Sequence, residues 1–267
     1  MASAVRFRID LLMVHKGLVP SRERARALIL AGRVLAAEQK VDKPGLAFAE
    51  DTPIRILGDQ QRFVSRGGLK LEAALAHWAV PVAERWCLDI GTSTGGFTDC
   101  LLQAGAAHVS CVDTGFGQIA MSLRQDARVR LYERTNARLL APGLLAAKSG
   151  EPPLTLLVMD VSVISATLVL APVLAAAGSL TEAVVLVKPQ FEAGREHIGK
   201  GGIVRDEAGH RIAIDRVTAC VATLGGAAIE VIDSPITGME GNREFLLHAF
   251  LRPLAAPASG WDKLKPE

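Results

Sequence analysis

Two strand-like runs in this chain end on a charged residue. Leu154 to Met159 is closed by Asp160, and Ala183 to Val187 is closed by Lys188. The carboxyl ends of strands are the edge at which open α/β sheets bind ligands, so an acid and an amine there face whatever is bound. A buried lysine is costly unless it is partnered, so a structural ion pair is the competing reading for Lys188. A third run, Cys87-Leu-Asp-Ile90, carries Asp89 and continues into Gly91-Thr-Ser-Thr-Gly-Gly-Phe97. Gly91, Gly95 and Gly96 allow a tight turn and a close approach of backbone to a ligand at a helix N-terminus. Three chemistries fit that turn: methyl transfer, hydride transfer and acyl hydrolysis. The dinucleotide pattern is imperfect because Ser93 stands at its third glycine position, while Gly91-Thr-Ser-Thr-Gly95 also fits a serine-hydrolase nucleophile elbow.

The next apolar run, Val109 to Val112, ends in Asp113, 22 residues beyond Gly91. An acid at the tip of the second strand accepts hydrogen bonds from ribose hydroxyls, which favours a nucleoside cofactor. A hydrolase elbow has no use for it. The bland alternative is that Asp113 caps the turn Thr114-Gly-Phe-Gly117.

These residues need a sheet to hold them. Strand-like runs recur at 86 to 90, 109 to 112, 129 to 131, 154 to 159 and 183 to 187, with helical stretches between them, the signature of βα units and a parallel sheet. Gly67 to His77 is predicted as a helix. Runs near Ile229 to Ile232 and Glu244 to Phe250 are predicted to form an antiparallel hairpin at one edge. Val161 to Thr181 has no charge over 21 residues, but Pro172, Gly178 and its hydroxyls suit a buried crossover helix better than a membrane span.

The first part of the chain has a different rhythm. Arg6 to Gly17 and Ser21 to Gly32 read as two short helices, the first with Ile9, Leu11, Leu12 and Val14 as its apolar face, the second capped by Ser21. Arg22 and Arg26 share a face of the second. Short strands follow near Val34-Leu35, Val41 and Pro53 to Leu57. The polar residues 58 to 66 bridge to the remainder.

Composition fits a globular protein of 267 residues, 49% hydrophobic and 22% charged. Its net charge of +2 is unevenly spread. Residues 1 to 45 carry nine Lys/Arg against four Asp/Glu, or +5, leaving −3 elsewhere. A basic module before a slightly acidic body suggests a polyanionic partner. Cys87, Cys100, Cys111 and Cys220 show no metal-type spacing and read as core thiols, so no metal is expected. No leader of the secretory type opens the chain, which makes the cytoplasm the default.

Arg8 to Val34 resembles the S4-like RNA-binding domain almost throughout, departing at Ala36-Ala-Glu-Gln39, where an Asn/Asp-Gly turn is usual and the hairpin is expected to turn differently. The whole chain resembles the TlyA family, also known as hemolysin A. The motifs are Ser65-Arg-Gly-Gly-Leu-Lys-Leu71, Leu88 to Thr98, Asp113 to Gln118, Glu133-Arg-Thr-Asn136, Met159-Asp-Val-Ser162, Val187 to Glu192, Gly199 to Asp206 and Gly241-Asn-Arg-Glu244. Val163 and Phe63 are departures, standing where Phe and Trp are usual.

The resemblance implies an α/β fold, a Rossmann-like S-adenosylmethionine-dependent methyltransferase sheet of FtsJ type at 62–267, preceded by a small α+β S4-like RNA-binding domain at 1–61. It implies 2′-O-methylation of cytidine ribose in 16S and/or 23S ribosomal RNA by a tetrad of Lys70, Asp160, Lys188 and Glu244. Lys188 would be base or hydrogen-bond acceptor, Asp160 its orienting partner, and Lys70 and Glu244 the ribose clamp. S-adenosyl-L-methionine would be surrounded by Asp89, Gly91, Ser93, Gly95, Gly96 and Phe97, with Asp113 on its ribose and Asn136 on its adenine side. RNA contacts would fall on Arg6, Arg8, Ser21, Arg22, Arg26 and Arg66, and on Lys200 and Arg205 of a flexible basic loop. The expected partner is ribosomal RNA or a ribosomal subunit, with no membrane and no obligate protein partner. Two rivals are an rRNA-binding assembly factor with a non-catalytic cofactor fold, and a pore-forming hemolysin, for which no insertion element is found.

Overall fold

The computed structural model describes residues 6–57, 62–238 and 241–252. The chain divides into two compact units, Met1–Arg62 and Phe63–Glu267.

The first unit runs β1 (Arg6–Arg8), α1 (Ile9–His15), α2 (Arg22–Leu30), β2 (Val34–Ala36), β3 (Gln39–Val41), β4 (Ala47–Ala49) and β5 (Ile54–Ile56). Strand β1 pairs antiparallel with β4, so Arg6 to Arg8 is extended where the sequence suggested helix. β2 lies between β3 and β5 in a second antiparallel sheet. On α1 the buried apolar residues are Ile9, Leu12 and Met13, while Leu11 is 46% exposed. A 3.6-residue period carries the face from Ile9 to Leu12 and Met13 and turns Leu11 outward. Gly17, at φ 67, ends the helix in the left-handed region. Ser21 caps α2 by accepting the Arg24 amide at 3.2 Å.

The β2–β3 hairpin corrects an expectation. Ala36 pairs with Gln39 across a two-residue turn whose centre, Ala37 and Glu38, has φ 50 and 61. Positive φ at both central residues is the geometry that Asn-Gly adopts readily. Here the turn keeps that geometry without its preferred residues, and Glu38 pairs with Arg55 on β5 at 2.5 Å.

The second unit contains α3 (Gly67–His77), β6 (Trp86–Ile90), α4 (Gly96–Gln103), β7 (His108–Val112), α5 (Met121–Arg124), β8 (Val129–Tyr132), β9 (Leu156–Met159), α6 (Thr167–Ala177), β10 (Glu182–Val187), α7 (Pro189–Glu192), α8 (Glu207–Thr223), β11 (Gly226–Asp233) and β12 (Phe245–Leu251). Its seven strands lie in the order β11-β12-β10-β9-β6-β7-β8. The run from β10 to β8 is parallel, and β12 pairs antiparallel with both β10 and β11. Alternation along the strands fills both faces. Leu88, Ile90, Leu157 and Met159 pack with Val169, Leu170 and Val173 of α6 and Ala213 and Val217 of α8. Cys87, Leu156 and Val158 pack with Leu71 and Ala74 of α3 and Cys100 and Leu101 of α4. Truncating a wholly buried leucine such as Leu157 costs about 2–5 kcal/mol in such a core. The uncharged stretch holds α6, of 11 residues, and among the described residues no helix is long and apolar enough to cross a membrane.

Phe63 is 3% exposed and belongs to the core of this second unit, packed so closely on Gly68 that a Cβ there would lie 2.3 Å from its ring. Of the proposed bridging stretch, residues 58–61 lie outside the described residues, while Val64 already donates its amide to Asp99 of α4 at 2.7 Å. The four cysteines are free, with Cys87, Cys100 and Cys111 buried. Burial pushes the Cys87 thiol up to about 12.

Candidate active site

The glycine turn after β6 is shaped by its neighbours. A Cβ on Gly91 would lie 2.4 Å from the Asp160 carbonyl oxygen, and one on Gly96 would lie 2.3 Å from Ser65 Oγ, so only glycine lets these segments close on each other. Gly95, at φ 98, starts α4. Beneath the turn Asp89 is fully buried. Thr98 Oγ1 donates to Asp89 Oδ2 at 2.6 Å, while Oδ1 has no hydrogen-bond partner. Burial pushes the Asp89 carboxyl up to about 7, against the Thr98 bond and with help from the nearby charges of Asp160 and Asp113.

Ser93 has φ 50 and donates its amide to Asp113 Oδ2 at 2.8 Å. Gly115 donates to the other oxygen at 2.7 Å. Asp113 therefore ties the glycine turn to the loop after β7. Thr92 and Ser93 line two cavities. One is a narrow slot of about 10 Å3 with Asp113, Gln118, Ile119 and Glu133 on its wall. The other is an open cleft of about 540 Å3 bounded by Ser65, Arg66, Lys70, Phe97, Asp160, Ser162, Lys188, Gln190, Phe191, Ile236, Thr237 and Glu244.

All four predicted tetrad residues line that cleft. Asp160 follows β9 and Lys188 follows β10, parallel neighbours in the sheet, which brings the two side chains side by side. Lys188 Nζ lies 2.6 Å from Asp160 Oδ1 and donates a hydrogen bond to Ser162 Oγ at 2.7 Å. Opposite them, Lys70 on α3 forms an ion pair with Glu244 at the head of β12, both side chains 10% exposed or less. Of the Gly241-Asn-Arg-Glu244 motif, Asn242 is also buried, accepting the Val204 amide and donating to the Gly202 carbonyl, each at 3.0 Å. Arg243 pairs with Asp233 and Glu207.

Other sequence expectations are distributed differently. Asn136 is exposed, lines neither cavity, and uses its oxygen to cap a 3-10 turn through the Arg138 amide at 3.0 Å. Glu133 holds the place on the slot wall, accepting the Gly117 amide at 2.7 Å and pairing with Arg124. Its signal was available, since it stands just past the carboxyl end of β8 as Asp113 does past β7. Lys200 and Arg205 are exposed and line neither of these two cavities, and their loop is tied down rather than loose, through Asn242 and a 2.9 Å bond from the Gly199 amide to Ile203 O. Arg66 is exposed on the cleft rim. In the first unit Arg6 and Arg26 are exposed. Arg8 and Arg22 are half exposed and both bind the buried Asp10, at 3.0 and 2.9 Å, so they have structural work beyond any contact with RNA. The Arg8 bond does most to hold the Asp10 carboxyl down at about 2.

No histidine lines either cavity to partner a Ser93 nucleophile, and the family match replaces the hydrolase reading. Residues 63–250 match the FtsJ-like methyltransferase family, and residues 7–48 match the S4 domain. The chain belongs to the TlyA branch of the FtsJ-like methyltransferases. This methyltransferase is 46% identical to YqxC of Bacillus subtilis, named as a candidate rRNA methyltransferase, over 90% of this chain and 84% of that one. It is 42% identical to the 16S/23S rRNA (cytidine-2′-O)-methyltransferase TlyA of Mycobacterium tuberculosis, over 91% and 90% of the two chains. A solved structure of a candidate hemolysin from Streptococcus thermophilus superposes with a TM-score of 0.69 at 40% identity, covering 94% of this chain and 90% of that one.

The cofactor of this methyltransferase is S-adenosylmethionine, and the site's chemistry suits it. The glycine turn at the head of α4 opens on the cleft, Asp89, which lines neither cavity, keeps an unpartnered buried oxygen close behind the turn, and Asp113 and Glu133 offer acceptors along the slot.

Proposed function

We propose that this methyltransferase modifies the ribose 2′-hydroxyl of cytidine in 16S and/or 23S ribosomal RNA, bound through the N-terminal S4 domain in the cytoplasm. The observation that carries this reading is the convergence of Lys70, Asp160, Lys188 and Glu244 on one cleft beside the glycine turn. The TlyA relative is named for that reaction. Domain limits of 1–61 and 62–267 accompany the reading.

The cofactor supplies an already activated methyl group. What remains for the protein is to bind, align and deprotonate a poor nucleophile. In this reading Asp89, Gly91, Ser93, Gly95, Gly96 and Phe97 surround its amino-acid and ribose portions, and Asp113 accepts from its ribose hydroxyls. Lys188 Nζ receives the 2′-proton of the target nucleotide, Asp160 fixes the direction of that amine, and the Lys70–Glu244 pair holds the target ribose. Exposed arginines, Arg26 among them, meet phosphates and release counterions.

Mapping ribose methylation on rRNA from cells with and without the gene tests the proposal. Cytidine 2′-O-methylation present only with the gene, and restored by the purified protein with S-adenosylmethionine, is the expected result; identical maps overturn it.

A further inference from the structure

Two oxygens lie against the Lys188 amine, and only one belongs to the tetrad. Its Nζ lies 2.6 Å from Asp160 Oδ1 and 2.7 Å from Ser162 Oγ. A neutral amine has two hydrogens and one lone pair in tetrahedral array. The hydroxyl holds one hydrogen in hydrogen-bond geometry, while Asp160 Oδ1, close as it is, has no hydrogen-bond partner and acts on the amine as a charge. The lone pair is then confined by the Ser162 bond, and Lys188, Asp160 and Ser162 all line the cleft. With Asp160 alone the amine would rotate about its last carbon bond, and the lone pair would sweep a cone.

The backbone around Ser162 is costly to build. The next residue, Val163, has φ 69 although it is β-branched, and its side chain is 88% exposed, so no packing explains the strain. A strained β-branched residue beside a functional cleft is a conformation imposed by its surroundings. The loop is held from α7. Glu192 is 2% exposed and accepts Ser165 Oγ at 2.5 Å and the Ala166 amide at 2.7 Å. The short helix that begins beside Lys188 therefore also grips the loop that carries Ser162.

We propose that Ser162 is a positioning residue for Lys188, its hydroxyl oxygen fixing the amine so that the lone pair faces the target 2′-hydroxyl. The inference rests on the reading of Lys188 as the proton acceptor. In the step, the 2′-oxygen would gain the methyl group as the cofactor's sulfur–methyl bond breaks with its electron pair left on sulfur, S-adenosylhomocysteine being the leaving group. The 2′-proton passes to Lys188 Nζ, and the resulting ammonium stays beside the Asp160 carboxylate and the Ser162 hydroxyl until it releases the proton to solvent.

The test is steady-state methylation of ribosomal RNA by the full-length protein and by Ser162→Ala, Ser162→Thr and Ser162→Val, with calorimetric S-adenosylmethionine binding as the measure of an intact fold. Loss of one orienting hydrogen bond predicts a fall in kcat of about tenfold for Ala and Val. KM for RNA and affinity for the cofactor stay unchanged, and Thr restores most of the rate. Wild-type kcat in Ser162→Ala overturns the proposal, and so does a Thr variant as slow as Val. Full turnover by Lys188→Ala is a separate failure, because it removes the reading beneath the proposal.

Discussion

Lys188 and Asp160 stand at the ends of adjacent parallel strands with Nζ and Oδ1 2.6 Å apart, on the cleft that the glycine turn opens into. Neither residue belongs to the glycine turn itself, so cofactor affinity and methyl transfer should separate. Lys188→Ala is expected to lower kcat by about 10²–10⁴, the range of a lost general base. Calorimetry should return near wild-type S-adenosylmethionine affinity. Tritium-methyl incorporation into ribosomes at the wild-type rate would remove Lys188 from the chemistry.

The Lys70–Glu244 pair makes a stability prediction that is independent of activity. Both side chains are nearly buried, so removing one leaves an uncompensated charge. Glu244→Leu and Lys70→Met are each expected to cost about 3–5 kcal/mol. The double variant should recover much of that loss, because an apolar pair replaces an ionic one, while remaining inactive. Denaturant melts of the four proteins decide it, and additive losses would show that the two groups do not interact.

Much of this arrangement was legible in the sequence because strand ends are where sheet position and chemistry coincide. Asp160, Lys188 and Asp113 each follow a readable apolar run, and the parallel order of β10, β9, β6 and β7 then brings their ends to one edge. Lys70 and Glu244 had no such signal, since each looks like a surface charge until α3 and the head of β12 are known to face each other. Only the family resemblance marked them. Asn136 is the opposite case. It lies in a motif, yet it does local work in a 3-10 turn, while Glu133 reaches the slot. The hairpin at Ala37-Glu38 was misjudged for a different reason, because turn propensity weighs residue preference and the flanking strands fixed the geometry regardless.

Asp89 sets a pH dependence. Its carboxyl is held at about 7 in the folded protein by burial, against about 3.9 in an unfolded chain. A raised folded value means that the stabilising form is the protonated one. Its contribution is complete below about pH 4 and is lost as pH rises through about 7, a change on the order of a few kcal/mol. Asp89→Asn cannot ionise and keeps an oxygen for the Thr98 bond. Its stability relative to wild type is therefore expected to increase from pH 4 to pH 8, and thermal melts across that range check it. A constant difference would mean that Asp89 stays ionised in its buried position throughout.

The two arginines on one face of α2 should behave differently. Arg22 binds the buried Asp10 at 2.9 Å, whereas Arg26 is exposed on the same helix. Arg26→Ala is expected to leave the melting temperature unchanged, to weaken RNA binding, and to reduce the slope of log K against log salt by about 1, the signature of one phosphate contact. Arg22→Ala should instead lower stability, by about 1–3 kcal/mol for a hydrogen bond lost from a buried charge. Asp10 opposes acid unfolding in the same way. Its carboxyl lies at about 2 in the folded state, so the stability it supplies is present above about pH 4 and lost as pH falls through 2. Arg22→Ala should therefore move the acid-unfolding midpoint to higher pH. Equal salt slopes for wild type and Arg26→Ala would take that arginine out of the RNA interface and leave the exposed Arg6 as the next to test.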